Sequence, residues 1–278
     1  MQYTVLRRVG SGGFGNVFEV LASDGKVYAM KVLRDLSTTN KQRFEREIRI
    51  LAQLDHPNIV KVIQWNIGGD PPDFSPWYTM EYLHGGSLRV HMDSKFKREY
   101  IFQRNWTINA VILPACHALA QAHAAGIYHR DLKPDNIMYA SPDRAQIKIT
   151  DWGLGRDIGR KSISLTASTD QIGGTPGYCA PEQWFALDGM DGRADIYSLG
   201  VIFYEMMTGR RPTGYHERDS SLKRLGRVDP PSKYHPTITK QLDSCIMKMI
   251  ELRPEERHQS VWQLITEIES FPDASYYY

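Results

Sequence analysis

The chain has 278 residues, 41% of them hydrophobic and 24% charged, with 34 basic side chains against 32 acidic ones and a net charge of +2. That composition excludes a disordered, collagenous or coiled-coil chain, and the charge is too small to draw a nucleic acid or a membrane surface by electrostatics alone. Cys116, Cys179 and Cys245 are far apart and form no CxxC pair, so neither a disulfide framework nor a zinc site is expected, and a reducing, cytoplasmic setting is.

Met1 to Arg8 lacks the charged start and apolar run of a secretory signal. Strands are expected over Tyr3–Val9, then after a glycine cluster over Asn16–Leu21, and over Val27–Leu33, with Asp24-Gly25 as the hairpin turn between the last two. Lys41–Leu54 has a helical period, with Phe44, Ile48 and Leu51 on one side and Glu47 read as part of the charged side. Two more strands, Val60–Asn66 and Trp77–Tyr82, flank a proline-rich loop at 68–76. After Gly85-Gly86 the pattern turns helical: Ser87–Glu99, Arg104–Ala125, Arg193–Thr208, Ile238–Glu251 and Ser260–Ser270. Pro114 lacks an N–H and should kink or split the second of these. The apolar stretch Ile108–Ile127 is broken by Asn109, Pro114, His117, Gln121 and His123, so it falls short of the roughly 18 uninterrupted apolar residues of a membrane span. Residues 127–192 are strand and loop, and loops on a rigid scaffold are where reactive groups concentrate.

Gly10, Gly12 and Gly15 make a GxGxxG that by itself fits a dinucleotide turn, a phosphate-covering loop or a plain glycine-rich bend. A dinucleotide fold needs a helix next, whereas Asn16–Leu21 alternates as a strand, so the loop reads as a hairpin flap whose backbone N–H groups can approach phosphate oxygens. Lys31 ends one strand and Glu47 sits on the following helix; an ion pair is one reading and two solvated charges the other. His129-Arg130-Asp131-Leu132-Lys133-Pro134-Asp135-Asn136 and, after the strand Gln146–Thr150, Asp151-Trp152-Gly153 supply a proton acceptor and two oxygen ligands suited to a hard cation that also holds phosphates.

In this order, together with Ala180-Pro181-Glu182, Asp195 and Arg257, these motifs resemble the protein kinase superfamily over nearly the whole chain, from Gly10 to Phe271. The resemblance implies an α+β, bilobal fold in one domain spanning 1–278. A small, mainly β lobe with one helix (1–80) leads through a hinge (81–84) into a larger, mainly helical lobe (85–271) and a short tail (272–278). It implies an ATP site of Gly10, Ser11, Gly12, Gly13, Phe14, Gly15, Val17, Ala29, Lys31, Met80, Glu81 and Leu83, with Met80 narrowing the rear pocket. Lys31, oriented by Glu47, would contact the α- and β-phosphates. Asp131 would accept the substrate hydroxyl proton, Lys133 would sit by the transferred phosphoryl group, and Asn136 and Asp151 would hold Mg²⁺, or Mn²⁺ in its place. Glu182 should pair with Arg257, and Asp195 should brace the catalytic loop.

Lys133 and the segment Gly174-Thr175-Pro176-Gly177-Tyr178-Cys179 look like Ser/Thr kinases, so the partner expected is a protein with a Ser or Thr acceptor, with no nucleic acid and no membrane; dual specificity stays open. Arg130 and Arg156 could receive a phosphate on Ser162, Ser164, Thr166, Ser168 or Thr169, added in trans during transient self-association. A pseudokinase scaffold is disfavoured by the presence of Lys31, Asp131, Asn136 and Asp151, and a small-molecule kinase by the intact segment from Thr175 to Glu182. Trp152 departs from the Phe usual in the family, and a larger ring must then be housed behind the helix bearing Glu47.

Overall fold

The computed structural model describes residues 1–11, 15–67, 75–97, 101–152, 177–184, 190–212, 228–235 and 238–271. Strands β1 (Tyr3–Ser11), β2 (Gly15–Ala22), β3 (Val27–Leu33), β4 (Val62–Asn66) and β5 (Trp77–Glu81) form an antiparallel sheet in the order β1-β2-β3-β5-β4. Gly25, at φ +79°, makes the β2–β3 turn, and Asp24 locks it by accepting from Lys26 N and from the Tyr28 hydroxyl, each at 2.9 Å. Gly15 is required by a close approach, since a Cβ there would stand 2.5 Å from the Val32 carbonyl oxygen across the hairpin.

Helix α1 (Thr38–Gln53) packs on the sheet through Phe44, Glu47, Ile48 and Leu51. Glu47 is thus on the buried face, a correction to its reading as part of the charged side. It follows Phe44 by three residues, a spacing that puts both on one stripe of the helix. The strand expected from Val60 begins at Val62, because Asn58 to Val60 turns instead toward β7 (Ile147–Ile149). Ile149 N donates to Asn58 O at 2.8 Å, Val60 N donates to Ile149 O at 3.0 Å, and the Asn58 carboxamide reaches Ile147 O at 2.8 Å. This ties the segment after α1 to the strand that leads to Asp151.

Past β5 the chain runs beside β6 (Ile137–Tyr139), with His84 N on Ala140 O and Gly85 N on Tyr139 O, both at 3.1 Å. Helix α2 (Leu88–Phe96) starts at Ser87, whose side chain accepts from Val90 N. The long helix expected over Arg104–Ala125 is three pieces: α3 (Arg104–Thr107), a π-helical stretch Ile108–Ile112, and α4 (Leu113–Ala124) with Pro114 in its first turn. Widening the turn ahead of the proline accommodates the missing N–H and relieves the ring's clash with the preceding turn. Helix α5 (Pro181–Trp184) is one turn, and α6 (Arg193–Thr208) is buried at every residue from Ala194 onward, the axis of the helical part. Helices α7 (Lys240–Met249) and α8 (Val261–Glu269) are capped by Thr239 and Ser260 and close the core with Leu242, Ile246, Leu264 and Ile268. Among the described residues no helix is long and apolar enough to cross a membrane.

Candidate active site

Strand register decides what the sheet offers. Directly opposed residues of an antiparallel pair point to the same side, and Val17 faces Lys31, Ala29 faces Met80 and Lys31 faces Tyr78. Val17, Ala29, Lys31, Tyr78 and Met80 therefore share one face. Lys31 and Glu47 are both almost fully buried, and Lys31 Nζ lies 2.6 Å from Glu47 Oε1 and 2.9 Å from Asp151 Oδ1. The Tyr78 hydroxyl donates to the same Glu47 oxygen at 2.8 Å. Burial opposes the Lys31 charge, but Asp151 and Glu47 outweigh it and hold its pKa well above the ordinary lysine value. Burial would likewise raise the Asp151 carboxyl, yet Lys31 keeps it below the usual aspartate range. The result is an ammonium favoured in its charged form and held between two carboxylates, one deep and one about a third exposed.

The loop carrying Asp131 is held from beneath. Asp195, fully buried on α6, accepts from His129 N at 2.8 Å and Arg130 N at 2.7 Å, and His123 Nε2 lies 2.8 Å from its Oδ2. The His129 ring contacts Thr150 O at 2.9 Å, joining the loop to the residue before Asp151. Gln183 of α5 donates to Arg130 O at 2.7 Å. These bonds enforce a left-handed backbone at Arg130 (φ +62°), and Asp151 is left-handed too (φ +58°). Of the three left-handed non-glycine residues described, Arg130, Arg144 and Asp151, two belong to this site, and the surrounding bonds over-determine the strain of their backbone.

Lys133 Nζ lies 3.1 Å from Asp131 Oδ2, while Asn136 Nδ2 donates to Asp131 O at 2.8 Å and to Oδ2 at 3.3 Å. Because its amide nitrogen is engaged by Asp131, the Asn136 carbonyl oxygen is the end left to act as a ligand. Strands β6 and β7 pair Ile137 with Ile149, and Thr150 N donates to Asn136 O at 2.9 Å, so Asn136 and Asp151 emerge from the same end of one two-stranded ribbon. Two oxygen donors side by side, with no sulfur or imidazole, suit a hard divalent cation.

The Trp152 indole is fully buried, donates to Ile149 O at 3.1 Å and meets the His129 ring edge-on at 5.0 Å. The indole thus packs edge-on against the loop carrying Asp131, and its N–H is satisfied. Glu182 and Arg257 form a buried two-pronged pair at 2.6 and 2.8 Å, and Arg257 also donates to the carbonyls of Glu251, Arg193 and Leu252. Glu81 sends its side chain to Lys148 Nζ at 2.8 Å and Lys61 N at 2.8 Å, and Leu83 packs against the core. Gly10 and Ser11 end β1, opposite Val17 and Asn16. Gly12, Gly13, Phe14, Gly153, Arg156, Ser162, Ser164, Thr166, Ser168, Thr169 and Thr175 lie outside the described residues, as does the tail.

Sequence reasoning missed Tyr78, His123 and Gln183. Tyr78 carried a signal, since in the alternation of Trp77–Glu81 it falls on the face of Lys31's partner positions. Nothing local marked His123 or Gln183, whose partners are far away in the chain.

A family model described as the protein kinase domain matches residues 3–268. The serine/threonine-protein kinase PknB of Mycobacterium tuberculosis is 36% identical over 263 residues, which cover 91% of this chain and 40% of that protein. Pkn1 of Myxococcus xanthus, also a serine/threonine-protein kinase, is 34% identical over 267 residues, covering 93% and 36%. The chain thus spans well under half the length of these relatives. The crystal structure of the Mycobacterium tuberculosis PknI kinase domain aligns with a TM-score of 0.69 at 25% identity, over 96% of this chain and 94% of that one.

Proposed function

The chain belongs to the protein kinase family, and on that premise we propose that it is a serine/threonine protein kinase transferring the γ-phosphoryl group of ATP to protein hydroxyls. The observation that carries the reading is a pair of clusters, Lys31–Glu47–Asp151 and Asp131–Lys133–Asn136, each linked internally by contacts of 2.6 to 3.3 Å and joined through the β6–β7 ribbon, where Thr150 N donates to Asn136 O. A scaffold without activity would have no need to bring a lysine, a carboxylate base and two oxygen ligands of metal type together.

In this reading the site works by position and charge. The adenine end of ATP lies on the shared face of Val17, Ala29 and Met80, against the backbone of Glu81 to Leu83, the hinge of 81–84 between lobes 1–80 and 85–271. Lys31 binds the α- and β-phosphate oxygens, and Glu47 and Tyr78 fix the direction of its ammonium. Asn136 Oδ1 and Asp151 would hold Mg²⁺, or Mn²⁺, which when bound neutralises phosphate charge. Asp131 orients the acceptor hydroxyl and takes its proton at the carboxylate. Lys133, 3.1 Å from that carboxylate, is placed to neutralise charge spreading over the transferring group.

Serine and threonine as acceptors are supported by the names of PknB and Pkn1 and by Lys133 two residues after Asp131. Three free cysteines accord with a reducing cytoplasm. Autophosphorylation in trans within 162–169 is part of the proposal, and equal intact masses for the active protein and Asp131→Asn would remove it. The reading is tested with labelled ATP, Mg²⁺ and a degenerate peptide library. Label on serine and threonine peptides supports it, label confined to tyrosine overturns the specificity, and no label on any peptide overturns the activity.

A further inference from the structure

Between α7 and α8 a second set of chemistry-bearing side chains converges. Cys245 of α7, His258 of the turn between α7 and α8, and Glu267 of α8 bring a sulfur, a ring nitrogen and a carboxylate oxygen within 4.8 Å of one another. Cys245 and His258 are fully buried, while the Glu267 side chain is 32% exposed. His258 Nε2 lies 3.0 Å from Glu267 Oε2, and His258 Nδ1 is buried without a hydrogen-bond partner.

We propose that Cys245, His258 and Glu267 form a transition-metal site, of a kind suited to Zn²⁺, that staples α7 to α8. The donor types select the metal. Thiolate and imidazole are poor ligands for Mg²⁺ or Ca²⁺ and good ones for Zn²⁺, which takes three protein ligands with a fourth position left to water or a further donor. Metal–ligand bonds of about 2.0 to 2.3 Å in a tetrahedron place the ligand atoms roughly 3.3 to 3.7 Å apart. The cluster needs an adjustment of a few tenths of an ångström on the nitrogen–oxygen side and of up to about 1.3 Å elsewhere.

Proton accounting is simple. Binding expels the thiol proton of Cys245 to solvent, and the neutral His258 imidazole ligates through Nε2 with its one proton on Nδ1. The metal centre gains one thiolate and one carboxylate charge, and loses neither electrons nor ligands to redox change. Lys248, 3.9 Å from Glu267 Oε2 and 39% exposed, is free to swing outward. The exposed edge of Glu267 gives the ion a route from solvent. Cys116 of α4 is close enough to Cys245 to act on its thiol electrostatically.

The site has a consequence for the rest of the molecule. His258 follows Arg257, whose guanidinium holds Glu182 and three backbone carbonyls. Occupancy would therefore stiffen the turn on which that buried pair depends, independently of whether the cleft transfers phosphate.

The whole chain, stripped with a chelator, is titrated with Co²⁺ as a spectroscopic probe and then with Zn²⁺. One equivalent of Co²⁺ should produce thiolate-to-cobalt charge transfer and the intense visible bands of a tetrahedral site, both erased by Zn²⁺. Glu267→Gln, a change at a partly exposed side chain that should leave folding intact, should weaken Co²⁺ binding at least tenfold, and Cys245→Ser should abolish the charge-transfer band. No charge-transfer band with excess Co²⁺ on the unaltered chain overturns the proposal and leaves a hydrogen-bonded triad. A band unchanged in folded Cys245→Ser, or affinity unchanged in Glu267→Gln, overturns it as well.

Discussion

Replacing Lys31 by Met removes a charge while keeping most of the side chain's volume. Lys31 Nζ is the one cation within 3 Å of both Glu47 and Asp151 among the described residues, and Glu47 is 1% exposed. Leaving a buried carboxylate without its partner costs about 3 to 5 kcal/mol. For a chain of this size that is a fall in melting temperature of roughly 6 to 20 °C. Glu47 can escape part of the penalty by taking a proton, since burial already pushes its carboxyl upward. With Lys31 gone, its folded pKa rises further above the unfolded value, so the variant's deficit grows as pH climbs through that interval and is smallest in mild acid. Adding Glu47→Gln supplies an uncharged acceptor for the Tyr78 hydroxyl and should recover at least half of the lost stability without restoring phosphoryl transfer. Calorimetric melts of the three proteins at two pH values, with transfer assays alongside, separate the structural from the chemical role. Melting of Lys31→Met within about 2 °C of the parent, or no recovery in the double variant, would refute the buried-pair argument.

Three further outcomes follow from other contacts. Tyr78→Phe deletes one hydrogen bond to a charged group, a loss of about 1.5 to 3 kcal/mol, and should lower kcat/KM for ATP tenfold or more in steady-state assays while the fold persists. Arg257→Met strands the buried Glu182 carboxylate and should cost about 3 to 5 kcal/mol in urea unfolding; Glu182→Met in the same chain should return part of it. Asp195 is fully buried, which by itself would raise its carboxyl, but its bonds from His123 and the loop N–H groups hold it below the ordinary value of 3.8. A depressed carboxyl contributes stability that is complete above its unfolded pKa and is lost as pH falls through the folded one. Asp195→Asn should therefore be less stable at neutral pH and show a flatter acid limb below pH 4 or so in pH-dependent unfolding.

How far the sequence can be read depends on where each signal resides. The hairpin strands announce themselves because alternation and Asp24-Gly25 are local, and Pro114 marks the interrupted helix because a missing N–H is local too. Glu47 is harder, since its charge suggests solvent, and besides the family resemblance only the Phe44 spacing says otherwise; the deciding partner, Lys31, comes from another element. The positions of Asp131, Asn136 and Asp151 were legible through resemblance to a family, whereas the bonds that hold them, from Asp195, Thr150 and Gln183, span 14 to 66 residues and leave no periodic trace. The same holds for Cys245, His258 and Glu267, whose spacing in the chain matches no compact metal motif and whose proximity exists only once α7 and α8 pack.

Asp131 is the proposed proton acceptor, in a site that should bind ATP without it. Single-turnover transfer to a serine peptide, measured beside nucleotide affinity, should show Asp131→Asn slowed by about 10² to 10⁴ with ATP still bound. Transfer at the parent rate by that variant would contradict it.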